Sequence, residues 1–119
     1  MDTLTDWVES LKESKKAIVV EGKKDVRALA AFGIEAFPIE GRSVLEAAEA
    51  IAAKSEDCVI LTDLDKEGRR LYSMLKHYLS QMGVRIDNKF REWLFRETKL
   101  RQIEGLVSYL ESLTDRLPE

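Results

Sequence analysis

Apolar and polar positions alternate along the chain in two periods. Leu4, Trp7, Val8 and Leu11 recur at helical spacing, and Thr3 followed by Asp6 suits a helix start, so the pattern predicts an amphipathic helix over residues 3–14. Ala17-Ile18-Val19-Val20 is an unbroken apolar run ending in β-branched residues, the mark of a strand buried on both faces. Val26, Leu29 and Phe32 return to helical spacing over Asp25 to Phe32, and Gly33 is a suitable stop. Ala36 to Ile39 is a weaker second strand. Ser43 and Glu46 form a capping box ahead of Val44, Leu45, Ala48, Ile51 and Ala52. Asp57 to Thr62 is a third strand. Leu71, Met74, Leu75, Tyr78, Leu79 and Met82 mark the strongest helix, which Gly83 ends. Val84 to Ile86 is a short fourth strand. From Asn88 to Leu113 the chain is helical by pattern, with Ile103, Leu106, Val107, Leu110 and Leu113 on one stripe. Gly105 leaves open whether this is one helix or two.

Continuously apolar strands alternating with helices predict an α/β domain whose parallel sheet is covered on both faces. Such crossovers are right-handed in nearly all cases, and ligands sit at the carboxyl ends of the strands. The residues that follow strands one and three therefore carry the most functional weight.

The length of 119 residues fits one domain, 1–119, able to bury a core without disulfides or a structural metal. An apolar share of 45% and a charged share of 34% exclude collagen-like and disordered chains. No internal repeat or linker interrupts it. The mixed-charge N-terminus lacks an apolar signal core and no apolar run reaches 18 residues, so a cytoplasmic, membrane-free protein is expected. The lone cysteine, Cys58, agrees with a reducing compartment. A net charge of −3 does not advertise nucleic-acid binding; such a role needs local basic patches or a bound cation.

Strand one runs into Glu21-Gly22-Lys23-Lys24-Asp25 and strand three into Asp63-Leu64-Asp65-Lys66-Glu67-Gly68. Residues i and i+2 of an extended segment share a side, so Asp63 and Asp65 can aim at one point, with Glu21 reaching it from a neighbouring strand. Three carboxylates repel unless a cation joins them, and oxygen-only ligands suit Mg²⁺ or Mn²⁺ completed by substrate phosphates. A less tightly bound Glu21 is placed to act as general acid or base. Lys23, Lys24, Lys66, Arg69 and Arg70 sit near helix starts, where they oppose the helix dipole unless a phosphate is present. Gly22 and Gly68 allow close backbone approach. With eight aspartates in the chain, a DxD arises by chance about once in two such sequences, so the weight rests on its pairing with the acid after strand one. The competing reading is that these acids are helix caps, for which Asp65 ahead of Lys66-Glu67-Gly68 is well placed.

The segments VVEGKKDVRAL and ILTDLDKEGRRL, with Gly41 after strand two, resemble the Toprim domain over about residues 16–86. That domain is shared by primases, topoisomerases, ribosomal-RNA maturases, certain nucleases and recombination mediators. EGKKD is more similar to the primase and maturase version, and small stand-alone archaeal Toprim proteins look most alike. The resemblance implies a compact, three-layer, Rossmann-like fold with Mg²⁺ at Glu21, Asp63 and Asp65. It also implies Glu21 as general acid or base in nucleotidyl transfer or strand scission, with the DxD acids holding the metal. A primase's zinc-binding and helicase-interaction domains have no room in this chain. Tyr72, Tyr78 and Tyr109 fall in predicted helices and do not suggest a covalent nucleophile.

Other features read as structural. His77 is a lone helix histidine, Cys58 a small buried strand residue, and Trp7 and Trp93 lie on helical stripes. The segment Arg85 to Arg101 carries six basic residues against three acids, interleaved with Phe90, Trp93 and Phe95. It reads either as an amphipathic helix with a solvated face or as a phosphate-contacting face. Receiver domains have this alternation but need an acid pair after strand one. Haloacid-dehalogenase-type phosphatases place DxD after the first strand, not the third. The expectation is Mg²⁺- or Mn²⁺-dependent phosphodiester chemistry on RNA or DNA. Its rivals are a non-catalytic binding module and a subunit that docks a protein partner through the C-terminal helices at 88–114. The last would be marked by an exposed apolar stripe.

Overall fold

In a computed structural model of the chain, the structure describes residues 1–114, and side chains through residue 112. Six helices and four strands alternate: α1 (Leu4–Ser14), β1 (Ala17–Val20), α2 (Lys23–Ala30), β2 (Phe37–Pro38), α3 (Val44–Ala52), β3 (Asp57–Ile60), α4 (Lys66–Gln81), β4 (Arg85–Ile86), α5 (Lys89–Glu97) and α6 (Leu106–Thr114). A 3₁₀ turn at Ile103–Gly105 separates the last two. The four strands form one sheet in the order β2-β1-β3-β4, all parallel.

Both faces of the sheet are covered, as the unbroken apolar strands require. Ile18 and Val20 with Val59 and Leu61 pack toward α1, α5 and the 3₁₀ turn, around Trp7, Leu11, Leu94 and Ile103. Val19 with Cys58 and Ile60 packs on the other side against Ala47, Ala48 and Ile51 of α3 and Leu71, Leu75 and Leu79 of α4. The strand period of two thus divides one sheet between two cores, giving three layers.

Local chemistry sets the boundaries. The Thr3 hydroxyl accepts the Asp6 N–H at 3.1 Å and the Asp6 carboxylate accepts the Thr3 N–H at 3.2 Å. Ser43 and Glu46 repeat that box at α3 with 3.1 and 3.2 Å. Helix α2 starts two residues ahead of the sequence expectation, because the Asp25 carboxylate reaches back to the Gly22 N–H at 3.0 Å. It ends early, at Ala30, and the chain turns through Gly33 at φ +76°. Pro38 lies on the sheet edge, where its missing N–H costs no ladder bond. Met82, the last position of the predicted helical spacing, lies just past α4, which ends at Gln81; it occupies the cap and is exposed.

The C-terminal region is two helices, not one. Thr98 is extended and its hydroxyl donates to the Leu94 carbonyl at 2.6 Å, closing α5. The expected stripe faces inward: Ile103 and Leu106 are fully buried, and Val107 and Leu110 half-buried. The exposed apolar face that would mark a docking surface on these helices is therefore not present among the described residues. The Leu113 side chain lies outside them.

Candidate functional site

Strands β1 and β3 are neighbours, and their following helices leave to opposite faces, α2 toward the α1 and α5 layer and α4 toward α3. This switch opens a crevice at the carboxyl ends of the two strands, the place where open parallel sheets bind ligands. Glu21 directly follows β1, and Asp63 lies just beyond β3.

The two meet. Glu21 Oε2 accepts the Asp63 N–H at 2.8 Å. Asp63 Oδ1 accepts the Ile103 N–H at 2.8 Å, and the Leu64 N–H donates to the Arg101 carbonyl at 2.8 Å. The segment between α5 and α6 thus closes over the acidic loop. Asp65 caps α4, its Oδ1 accepting the Gly68 N–H at 2.7 Å. Asp65 therefore takes the helix-cap role, with its charge close enough to act on Asp63. Each of the three acids accepts one backbone N–H.

Burial pushes the Asp63 carboxyl up to about 7; the Ile103 amide opposes this, while the adjoining Glu21 carboxyl and the Asp65 charge add to it. Asp25, buried at the start of α2, is also raised, by burial first and then, against its bond to Gly22, by the charges of Asp63 and Glu104. Sequence reading passed over Asp25 and Glu104. Asp25 closes the EGKKD run, but its neighbour Glu104 comes from a distant segment with no motif. Glu21, Lys23, Lys24, Asp25, Asp63, Gln102 and Glu104 line a cleft of about 490 Å³.

Oxygen-only donors and mutual repulsion fit a hard divalent cation. Among the described residues, however, no three acidic, His or Cys side chains already form a closed ligand cluster. What the fold brings together is the Glu21–Asp63 pair, with Asp65 near enough to act on Asp63 through its charge.

The basic candidates flank this crevice unequally. Lys23 and Lys24 are exposed in the first turn of α2, beside the cleft. Lys66 and Arg69 are exposed at the start of α4. Arg70 is held in its own helix by two bonds to Glu67, at 2.6 and 2.9 Å. The glycines divide by cause. A Cβ on Gly68 would lie 2.0 Å from the Asp63 carbonyl oxygen, so the helix start fits against the loop only with hydrogen there. Gly41 has open space around it and is required instead by φ +89° in the turn closed by the Arg42 N–H to Ile39 carbonyl bond. A Cβ on Gly22 would meet only Glu40, at 3.4 Å.

The basic segment at 85–101 contains an amphipathic helix, α5, with Lys89, Glu92, Arg96 and Glu97 exposed. Arg85 pairs with Asp57 at the amino edge of the sheet, away from the crevice, and Arg96 pairs with Glu97. Phe90, Trp93 and Phe95 are buried. Arg91 turns inward: Nε donates to the Thr62 carbonyl at 2.9 Å and Nη2 to the Asp63 carbonyl at 2.8 Å. Its guanidinium lies 4.8 Å from the Tyr72 ring and 5.4 Å from that of Phe95. The tryptophans are core residues, with Trp7 Nε1 bonded to the Phe90 carbonyl at 2.8 Å and Trp93 Nε1 to that of Met1 at 2.9 Å. Cys58 is fully buried, and burial pushes its thiol up to about 12. His77 is exposed on α4.

Residues 16–93 match the Toprim domain. A UPF0292 protein of Methanocaldococcus jannaschii is 33% identical over 116 residues, covering 92% of this chain and 91% of the relative. A UPF0292 protein of Pyrococcus horikoshii is 35% identical, covering 85% of this chain and 79% of the relative. Among solved structures, a protein of Aquifex aeolicus described only as putative superposes with a TM-score of 0.82 at 30% identity, over 88% of this chain and 99% of that one. A primase of the same organism, comprising its zinc-binding and RNA polymerase domains, has a TM-score of 0.54 at 23% identity, over 88% of this chain and 27% of the primase. The primase shares a fold with this chain. No described helix is long and apolar enough to cross a membrane.

Proposed function

The chain belongs to the Toprim domain family, and from that membership we propose that it acts on phosphodiester bonds of nucleic acid with Mg²⁺ or Mn²⁺. The observation that carries the reading is the meeting of Glu21 and Asp63 in the crevice between two adjacent parallel strands. Asp63 and Asp65 are the residues to hold the cation, with Glu21 beside them. A bound cation would polarise a phosphoryl oxygen and align the attacking group. Glu21 then holds or passes the proton of that group. Lys23, Lys24, Lys66 and Arg69, with the N-termini of α2 and α4, attract the flanking phosphates. Arg70 joins them only by leaving Glu67. Gly22, whose N–H is held by Asp25, keeps the mouth of the cleft free of a Cβ, and Gly41 and Gly68 shape the loops around it. The buried, single Cys58 suits a cytoplasmic setting.

The test is metal-dependent cleavage of, or nucleotide addition to, single- and double-stranded RNA and DNA, with Glu21→Gln and Asp63→Asn as controls. Loss of activity in both supports the assignment; activity that survives both refutes it. A second reading, a Toprim scaffold that binds nucleic acid without chemistry, is favoured by the hydrogen bond that each carboxylate already accepts from a backbone N–H. Binding retained in EDTA, with no product under either metal, selects it.

A further inference from the structure

Two successive peptide units flank the Cα of Asp63, and each is held at both ends. In the first, the Thr62 carbonyl accepts from Arg91 Nε at 2.9 Å while the Asp63 N–H donates to Glu21 at 2.8 Å. In the second, the Asp63 carbonyl accepts from Arg91 Nη2 at 2.8 Å while the Leu64 N–H donates to the Arg101 carbonyl at 2.8 Å. The C=O and N–H of a trans peptide point in opposite directions, so anchoring both stops the plane from rotating. Fixing both planes fixes φ and ψ at Asp63, and with them the direction of its Cα–Cβ bond. One guanidinium supplies half of the four anchors.

We infer that Arg91 is a positioning residue that aims the Asp63 carboxylate. The guanidinium suits the task because its donors lie in one rigid plane and match two neighbouring carbonyl oxygens. It is itself held: the Tyr72 and Phe95 rings lie within 5.4 Å of it, and the Tyr72 hydroxyl donates to Asn88. Helix α4 closes the arrangement from below, since Gly68 leaves no room for a Cβ against the carbonyl that Arg91 holds. A lysine at this position would keep the charge and most of the stem. It would offer donors on a single nitrogen and could not reproduce two bonds from separate nitrogens fixed in one rigid plane.

The functional weight of this inference rests on the proposed metal site, but its structural core is tested without metal. Arg91→Lys and Arg91→Met are compared with the wild type in the full chain, after folding is checked by circular dichroism and melting. Amide hydrogen exchange at Asp63 and Leu64 is read in EDTA, with Leu75 in the core of α4 as the reference. Mn²⁺ affinity is then read from the free-ion paramagnetic signal. Both variants should exchange faster at Asp63 and Leu64, by about tenfold or more, with Leu75 unchanged, and should bind Mn²⁺ about tenfold more weakly. Wild-type exchange at Asp63 in folded Arg91→Lys overturns the inference, because charge alone would then suffice. Should Arg91→Met not fold, the lysine variant decides. A wild type that binds no Mn²⁺ sinks the proposed metal site, while the exchange result still decides the role of Arg91.

Discussion

The Asp63 N–H donates to the Glu21 carboxylate at 2.8 Å, although 42 positions separate the two residues. The bond ties the end of β3 to the end of β1 and sets two acids side by side. It predicts opposite results for two substitutions. Glu21→Gln keeps an acceptor for the amide and removes a charge, so the fold should hold while the Asp63 pKa falls. Glu21→Ala strips the amide of its partner and should cost about 1 kcal/mol. Urea unfolding and carboxyl carbon NMR titration check both. An unchanged Asp63 titration in Glu21→Gln would show that burial and the Asp65 charge raise it without Glu21.

The pH profile follows from the same pair. The folded chain holds the Asp63 proton to about pH 7, against an ordinary 3.8. Between those values the folded state binds more protons than the unfolded one, so stability falls as pH rises and levels off above the folded pKa. Asp25 is raised too and adds to the slope. Asp57, Asp87 and Glu46 are lowered by their partners, and their contribution has the opposite sign. It is lost only as pH drops through the acid range, below this window. In EDTA the melting temperature should therefore drop between pH 5.5 and 8, and Asp63→Asn should flatten that drop. A wild-type profile that rises over this interval contradicts the assignment.

Glycine substitutions separate steric from conformational need. Gly68→Ala places a methyl 2.0 Å from the Asp63 carbonyl oxygen, which Arg91 holds in place. Alanine favours the helix, but the overlap outweighs that and should cost about 3 kcal/mol. Gly41→Ala meets no neighbour and strains only its φ of +89°, so it should cost about 1 kcal/mol. Urea unfolding measures both, and equal costs would contradict the close fit at Gly68.

Periodicity carried the fold and the positions of the acids, because short runs rich in β-branched residues such as Ile18 to Val20 and Cys58 to Ile60, set between helical periods, read as central strands buried on both faces. Glu21 and Asp63 were legible for the same reason: they end those strands. What periodicity could not carry was contact across sequence. Arg91 sits among five other basic residues of its segment, and only the packing of α5 turns it onto the Thr62 and Asp63 carbonyls while Arg85 goes to Asp57. Ile103 lay on the predicted stripe as a side chain, but it reaches the site through its backbone N–H, which no residue type encodes. The stripe itself was ambiguous between core and docking face until burial resolved it.

Asp65 has two roles that substitution can separate. Its exposed carboxylate caps α4 through the Gly68 N–H and adds to the negative field on Asp63. Asparagine caps as well as aspartate, so Asp65→Asn should keep the helix start and relieve the repulsion. In EDTA it should melt at or above the wild type. Asp65→Ala loses the cap and should fall below both by about 1 kcal/mol. Added Mg²⁺ stabilises whichever protein binds it in the folded state, by about 2.7 kcal/mol at a hundred times the dissociation constant. The wild type should therefore gain more from Mg²⁺ than Asp65→Asn does. Equal gains would leave Asp65 a helix cap and return the cation to Glu21 and Asp63 alone.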